Sequence, residues 1–120
     1  MRVLIVQEDR DLARLWASHL QRSGASVAHA VTQDEATATL RDMPIDIVIL
    51  SLTLRDGSAL AIADYAGYRR PAARIIPVTS ASFFSDGSVF NLMPNACTSV
   101  EAGTAPEDLT AIVTHYGAAP

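Results

Sequence analysis

Residues 45–57 read Ile-Asp-Ile-Val-Ile-Leu-Ser-Leu-Thr-Leu-Arg-Asp-Gly, and no other stretch constrains the fold as strongly. Ile47, Val48, Ile49 and Leu50 are consecutive apolar residues, and three of them are β-branched. Such a run suits a strand covered on both faces, the central position of a parallel sheet. It stops at Ser51 and opens into a loop that closes at the turn signal Asp56-Gly57. In an open α/β sheet the functional crevice lies at the carboxyl ends of the central strands. Ser51 is therefore expected at the mouth of that crevice.

The rest of the chain supplies a sheet around this strand. Arg2–Val6 is a short apolar run of strand type, ended by Gln7, Glu8 and Asp9. Asp9 or Asp11 caps a first helix, in which Leu12, Leu15, Trp16, His19 and Leu20 recur at helical spacing until Ser23 and Gly24 stop the pattern. Ser26–Ala30 is a weak second strand. Thr32 or Asp34 begins a second helix running to about Arg41. Residues 58–67 read as a third helix, and Tyr68 to Pro71 as a connector. Residues 74–78 form a fourth strand interrupted by Pro77 and ending at Thr79 and Ser80. A loop carrying Phe83 and Phe84 precedes a short helix at about 88–93, and residues 96–100 form a weak fifth strand. Pro106, with Glu107 and Asp108 in the first turn, starts a last helix running to about His115. Five βα units in this order predict a parallel sheet with right-handed crossovers and helices on both faces.

Composition narrows the class. The 120 residues are 49% hydrophobic and 18% charged, which suits one folded domain over 1–120 with a frayed tail at 117–120. No apolar run approaches the roughly 20 residues that cross a bilayer, and the start is too short to be a signal peptide. The lone Cys97 excludes an internal disulfide and fits the cytoplasm. The net charge is −4 and every formal cation is an arginine, so no nucleic-acid binding and no lysine-dependent mechanism is expected.

Three strand ends converge on one crevice in this topology: Gln7 and Glu8, Ser51, and Thr79, joined by Glu101, Ala102 and Gly103. The blocks that carry a family likeness are Val-Leu-Ile-Val-Gln-Glu-Asp (3–9), residues 44–57, Val78-Thr79-Ser80, and Pro106-Glu107-Asp108-Leu109. Over essentially its whole length the chain resembles the receiver domain of two-component response regulators. The resemblance implies a single (βα)5 doubly wound, flavodoxin-like fold. It also implies reversible phosphorylation of an aspartate after the third strand. Two acids after the first strand would hold Mg²⁺, and a Thr/Ser and a Lys would bind the phosphoryl oxygens.

Position by position, this sequence departs from that pattern. The phospho-acceptor position holds Ser51, the first acidic position Gln7, and the lysine position Ala102. Glu8 is the only retained pocket acid, with Asp9 beside it, and Thr79 is kept. The aromatic switch position falls on Ser99, the proline after the lysine on Gly103, and the loop proline on Arg55. A serine offers the metal a neutral hydroxyl, and its phosphate would be a stable ester and not a labile acyl phosphate. The expectation is therefore a degenerate receiver, not an enzyme, with no cofactor and weak or absent Mg²⁺ binding. It acts as a protein-interaction or dimerisation module in phosphorelay signalling, with a histidine kinase, a phosphotransfer protein, another regulator or a second copy as partner. By resemblance the contact face includes Phe90, Met93, Ser99, Glu101 and Tyr116. The alternatives are a regulator phosphorylated at Ser51 or Asp9, and a small-ligand sensor. A flavodoxin-like nucleotide binder is discounted, because Gln7-Glu8-Asp9 stand where a Gly-rich phosphate loop would be needed. Cys97 and Trp16 are read as packing residues, and His19, His29 and His115 have no metal-ligand spacing.

Overall fold

The computed structural model describes residues 1–79 and 93–117. Five parallel strands form one sheet in the order β2-β1-β3-β4-β5. These are β1 (Arg2–Val6), β2 (Ser26–Ala30), β3 (Ile47–Ser51), β4 (Arg74–Thr79) and β5 (Val100–Glu101). The described helices are α1 (Arg10–Arg22), α2 (Gln33–Asp42), α3 (Ala59–Arg69) and α4 (Pro106–Gly117). The expected short helix at 88–93 and the Phe83–Phe84 loop lie outside the described residues.

The central position of β3 follows from its sequence. Ile47, Val48, Ile49 and Leu50 are each 0% exposed, because alternate side chains go to opposite faces and both faces are covered. Leu4, Val48, Leu50 and Ile75 face Leu40 of α2 and Ile62 and Ala66 of α3. Val3, Ile5, Ile47, Ile49 and Ile76 face Trp16 and Leu20 of α1 and Leu109 and Val113 of α4. Full burial of a large aliphatic side chain contributes roughly 1.5–3 kcal/mol, so these two layers dominate the stability.

Helix starts obey their local chemistry. The Asp9 carboxylate accepts from the backbone N–H groups of Asp11 and Leu12, each at 3.1 Å, and so caps α1. Thr32 caps α2 through the Glu35 N–H at 3.1 Å, while the Glu35 carboxylate accepts from the Val31 N–H at 2.7 Å. Ser58 caps α3 through the Ala61 N–H.

Several boundaries differ from the sequence expectation, each for a physical reason. The helix expected over 58–67 runs on through Tyr68 and Arg69, so two residues of the expected connector are helical. The Arg69 and Arg70 guanidiniums there donate to the α2 carbonyls of Leu40 and Arg41. Gly117, expected in the frayed tail, closes the last helix. Pro77 does not interrupt β4, which is continuous and pairs Leu50 with Pro77. The lapse falls on the next strand instead. Ile75 exchanges bonds with Asn95 and Cys97, and Thr79 accepts from Ala102, so odd-numbered residues of β4 face β5. Pro77 lacks the donor that this edge needs. The pairing slips from Ile75↔Ala96 to Val78↔Val100, one residue of offset, and the expected 96–100 strand is reduced to Val100–Glu101.

Candidate functional site

The strand ends bring the expected residues together. Gln7, Asp9, Ser51, Thr53, Thr79 and Ala102 line one crevice of about 180 Å³. A shallower groove of about 310 Å³ adjoins it, lined by Gln7, Glu8, Asp9, Thr53 and Arg55. Both lie at the carboxyl ends of β1, β3 and β4, as the sheet order requires.

Ser51 ends β3 and is 4% exposed. Its Oγ lies 3.2 Å from Thr53 Oγ1 and accepts, at 3.4 Å, from the Thr53 N–H. The hydroxyl is thus held in a local turn, with hydroxyl and amide partners and no charge. Thr79 donates its hydroxyl to the Val100 carbonyl at 3.5 Å, a strand-to-strand contact. Ala102 places a methyl group on the pocket wall.

Gln7 is 8% exposed, and its backbone groups and side-chain oxygen are engaged locally. Its N–H donates to the Ala30 carbonyl, and its side-chain Oε1 accepts from the Asp9 N–H at 3.1 Å. His29 Nε2 lies 2.7 Å from the Gln7 carbonyl, which only accepts, so that nitrogen carries the proton. An amide in place of a carboxylate lets this strand end fold onto its own backbone without a counter-charge.

Glu8 does have a counter-charge, the Arg55 guanidinium of the loop after β3. The Glu8 carboxylate accepts from the Arg55 backbone N–H, and Arg55 Nε lies 3.7 Å from the other carboxylate oxygen. The Arg55 side chain is 92% exposed and that of Glu8 is 26% exposed, so the pair positions the loop more than it stabilises the fold. The signal for it was the cation itself, placed four residues after Ser51 in the loop facing the one retained acid. Asp9, the second acid, is committed to the α1 cap. Among the described residues no group of three His, Cys, Asp or Glu side chains is gathered as a metal site would need.

The loop that carries Thr53 and Arg55 is fastened to α2. Gln33 N–H donates to the Asp56 carbonyl at 3.2 Å, and Gln33 Oε1 accepts from the Ser58 N–H at 2.8 Å. Gly57 lies between, at φ +113°, with its Cα hydrogens against the Gln33 side chain. Gln33 was not singled out from the sequence; nothing in its local pattern marks a residue used 25 positions away.

The expected contact face is only partly on the surface. Ser99 and Glu101 are exposed and Tyr116 is half-buried. Met93 is a correction: it is 2% exposed and packs in the core beside Ile62, Ala66 and Ile75, where an apolar side chain at this edge of the sheet is covered. Phe90 lies outside the described residues. Cys97 is half-buried, with its Sγ 3.6 Å from the Ile75 carbonyl, and burial pushes its thiol pKa up. Trp16 is core, 1% exposed, and its indole N–H is buried without a partner among the described residues.

No protein-family model matches the sequence, and a search of curated proteins finds no match. Solved structures do match. A CheY-like response regulator receiver domain from Methanospirillum hungatei aligns with a TM-score of 0.86 at 24% identity, covering 97% of this chain and 92% of that one. The signal receiver domain of a putative Luxo repressor from Vibrio parahaemolyticus aligns with a TM-score of 0.85 at 22% identity, covering 97% and 88%. A streptococcal protein described as one of a family of redox sensors evolved from two-component response regulators gives 0.84 at 19% identity, covering 97% of this chain and 50% of that one. The fold is that of the response regulator receiver domains.

Proposed function

We propose that this chain is a degenerate receiver domain of two-component or phosphorelay signalling that works without phosphorylation, as a protein-interaction module and not as an enzyme. The observation that carries the reading is the pocket itself. A receiver fold brings its three strand ends together around Ser51, where the acyl-phosphate chemistry of that fold needs a carboxylate.

The other pocket positions agree with it. A labile acyl phosphate needs a carboxylate acceptor, a divalent cation and a cation on the departing charge. Here the acceptor position is a hydroxyl already engaged with Thr53, and the lysine position is the methyl of Ala102. Gln7 is neutral, and the Glu8 carboxylate faces the Arg55 guanidinium. Mg²⁺ prefers several hard anionic oxygens, and one paired carboxylate is a thin site for it. We therefore assign the chain no metal cofactor. The Thr79 hydroxyl bonds Val100 at the position where it would otherwise follow a phosphate, and Ser99 presents no ring to rotate. Any switching then comes from a partner that binds two conformations unequally. The streptococcal protein of the same fold, described as one of a family of redox sensors evolved from response regulators, supports the general case that this fold can take on another sensing role.

The partner is a histidine kinase, a phosphotransfer protein, another regulator or a second copy, and a cytoplasmic location fits such partners. The test is intact mass after incubation with acetyl phosphate and Mg²⁺, with Ser51→Asp alongside. No phosphoryl adduct on the native chain supports the proposal. A stoichiometric adduct refutes it, and its location distinguishes Ser51 from Asp9. Modification at Asp9 would also cost the α1 cap, so loss of helix signal would accompany it.

A further inference from the structure

We infer that the end of the molecule opposite the pocket docks the pocket end of a second copy of this chain, head to tail, through contacts between arginines and carboxylates. The inference goes beyond the pocket reading and does not rest on it.

In a parallel βα fold, strand starts and helix ends share one pole. Here that pole collects Arg2 at the start of β1, Arg74 at the start of β4, Arg22 and Arg41 in the last turns of α1 and α2, and Arg69 and Arg70 at the end of α3. All are exposed except Arg70, which is half-buried. Among the described residues, Asp42 and Asp46 oppose these six, leaving a surplus of four positive charges. Asp42 is already paired with Arg41 at 2.9 Å, and Asp46 accepts from the Arg2 backbone N–H at 2.8 Å.

The other pole is the complement. Helix starts place Asp11, Asp34, Glu35, Glu107 and Asp108 there, and Glu101 ends β5. Arg10, Arg14 and Arg55 are the cations at that end. The chain as a whole carries −4, yet the molecule measures 31 × 31 × 30 Å. At physiological salt, charge interactions between exposed groups fade over about 8 Å. Each pole therefore acts by its own charge, and a facing pole does not feel the net value.

The chemistry of the basic pole favours carboxylates. Every cation is a guanidinium, whose planar fork bonds a carboxylate with two parallel N–H groups. The pole is also concave: a groove of about 660 Å³ runs past Asp46, Arg74, Asn95, Cys97 and Tyr116. Asp42 and Asp46 would face phosphates unfavourably if a nucleic acid or lipid surface covered this end. The acid pole of a second copy carries the exposed Arg10 and Arg14 among its carboxylates, cations that a nucleic acid or an anionic lipid surface lacks. Because the two contacting surfaces differ, the interface is heterologous and the assembly stays open-ended.

Sedimentation velocity on the full chain tests this. At about 20 mM salt the weight-average sedimentation coefficient should rise with concentration, and association should weaken at least about tenfold at about 500 mM. Arg2→Gln/Arg22→Gln/Arg74→Gln removes charge from the basic pole, and Asp34→Asn/Glu107→Gln/Asp108→Asn removes it from the acid pole. Circular dichroism checks that both variants keep the fold. Each alone should be monomeric, and an equimolar mixture should stop at a heterodimer, since each variant keeps one competent pole. A monomer at every salt overturns the inference. So does a salt-insensitive dimer that neither variant disrupts, which would instead indicate a symmetric contact face. Binding of duplex DNA or of vesicles with anionic lipid, by a chain that stays monomeric, would assign the pole to a polyanion and overturn it as well. None of these outcomes depends on phosphorylation of the pocket.

Discussion

Replacing Gly57 with alanine should destabilise the protein through the loop that frames the pocket. Gly57 adopts φ +113°, a region that side chains with a Cβ rarely enter, and the strain costs roughly 1–3 kcal/mol. The new Cβ would also run into Gln33, reaching 2.8 Å from its Oε1 and 3.3 Å from its Cα, with the Gln33 Cβ closer still. Those are α2 atoms near the start of the helix, and overpacking of this kind costs about 1–3 kcal/mol. Displacing Gln33 would also lose its bond from the Ser58 N–H, about 1 kcal/mol. Together the loss should be about 3–7 kcal/mol. With a urea slope near 2 kcal/mol per molar, the unfolding midpoint should fall by roughly 1.5–3.5 M. A double-mutant cycle isolates the steric part. Gln33→Gly removes the clashing Cβ, so Gly57→Ala should cost about 1–2 kcal/mol less in that background than in the native chain. A loss below about 1 kcal/mol for Gly57→Ala, or strict additivity of the pair, would refute the fastening of this loop to α2.

Trp16→Phe should be mild, about 1–2 kcal/mol, because it removes a buried indole N–H that has no partner among the described residues; Trp16→Ala, which opens a cavity, should cost roughly 3–5 kcal/mol by urea denaturation. Cys97 should react slowly with iodoacetamide in the native state, since burial raises its pKa, and the rate should climb only at a pH above that seen for the unfolded chain. The sign for stability is the matching one: the raised thiol pKa stabilises the fold at neutral pH, and this contribution is lost as pH rises through the ordinary thiol range toward the raised value. Arg70→Ala should cost about 1–2 kcal/mol, because Arg70 Nε caps the Leu40 carbonyl at 2.9 Å and its Nη2 reaches the Arg41 carbonyl; thermal melts and amide exchange at the end of α2 would report it.

Much of the fold was legible because its strongest signals are local. The apolar run of β3, the caps Asp9 and Thr32, each one of two candidates in the sequence, and Pro106 at the start of α4 each act within a few residues of themselves. What was not legible is carried across the chain. Pro77 was read as a break in β4, but a proline breaks only the edge toward which its N–H would have pointed, and register decides which edge that is. The tail of α3 was read as a connector because its arginines find their carbonyls on α2, 28 to 30 residues away. Met93 looked like a surface residue at the end of a short helix, and the sheet edge covers it. In the pocket, the identities of Gln7, Ser51, Thr79 and Ala102 were readable from order and spacing, whereas the Glu8–Arg55 pair needed the geometry.

That pair bears on how such a pocket can lose its chemistry without losing its shape. Carboxylates at converging strand ends repel one another and need a cation to be held close. Here the requirement is removed piece by piece. Gln7 and Ser51 are neutral, Asp9 turns its charge into the start of α1, and Glu8 meets Arg55 from the adjoining loop. Restoring the acceptor alone by Ser51→Asp would therefore place a second carboxylate in the crevice with only Arg55 as counter-charge. Adding Ala102→Lys should supply the missing cation and recover part of the stability that Ser51→Asp loses, with a favourable coupling of about 1 kcal/mol by urea denaturation at low salt. If the two changes prove additive, the crevice residues are not electrostatically linked, and the reading of this pocket as a neutralised receiver site fails.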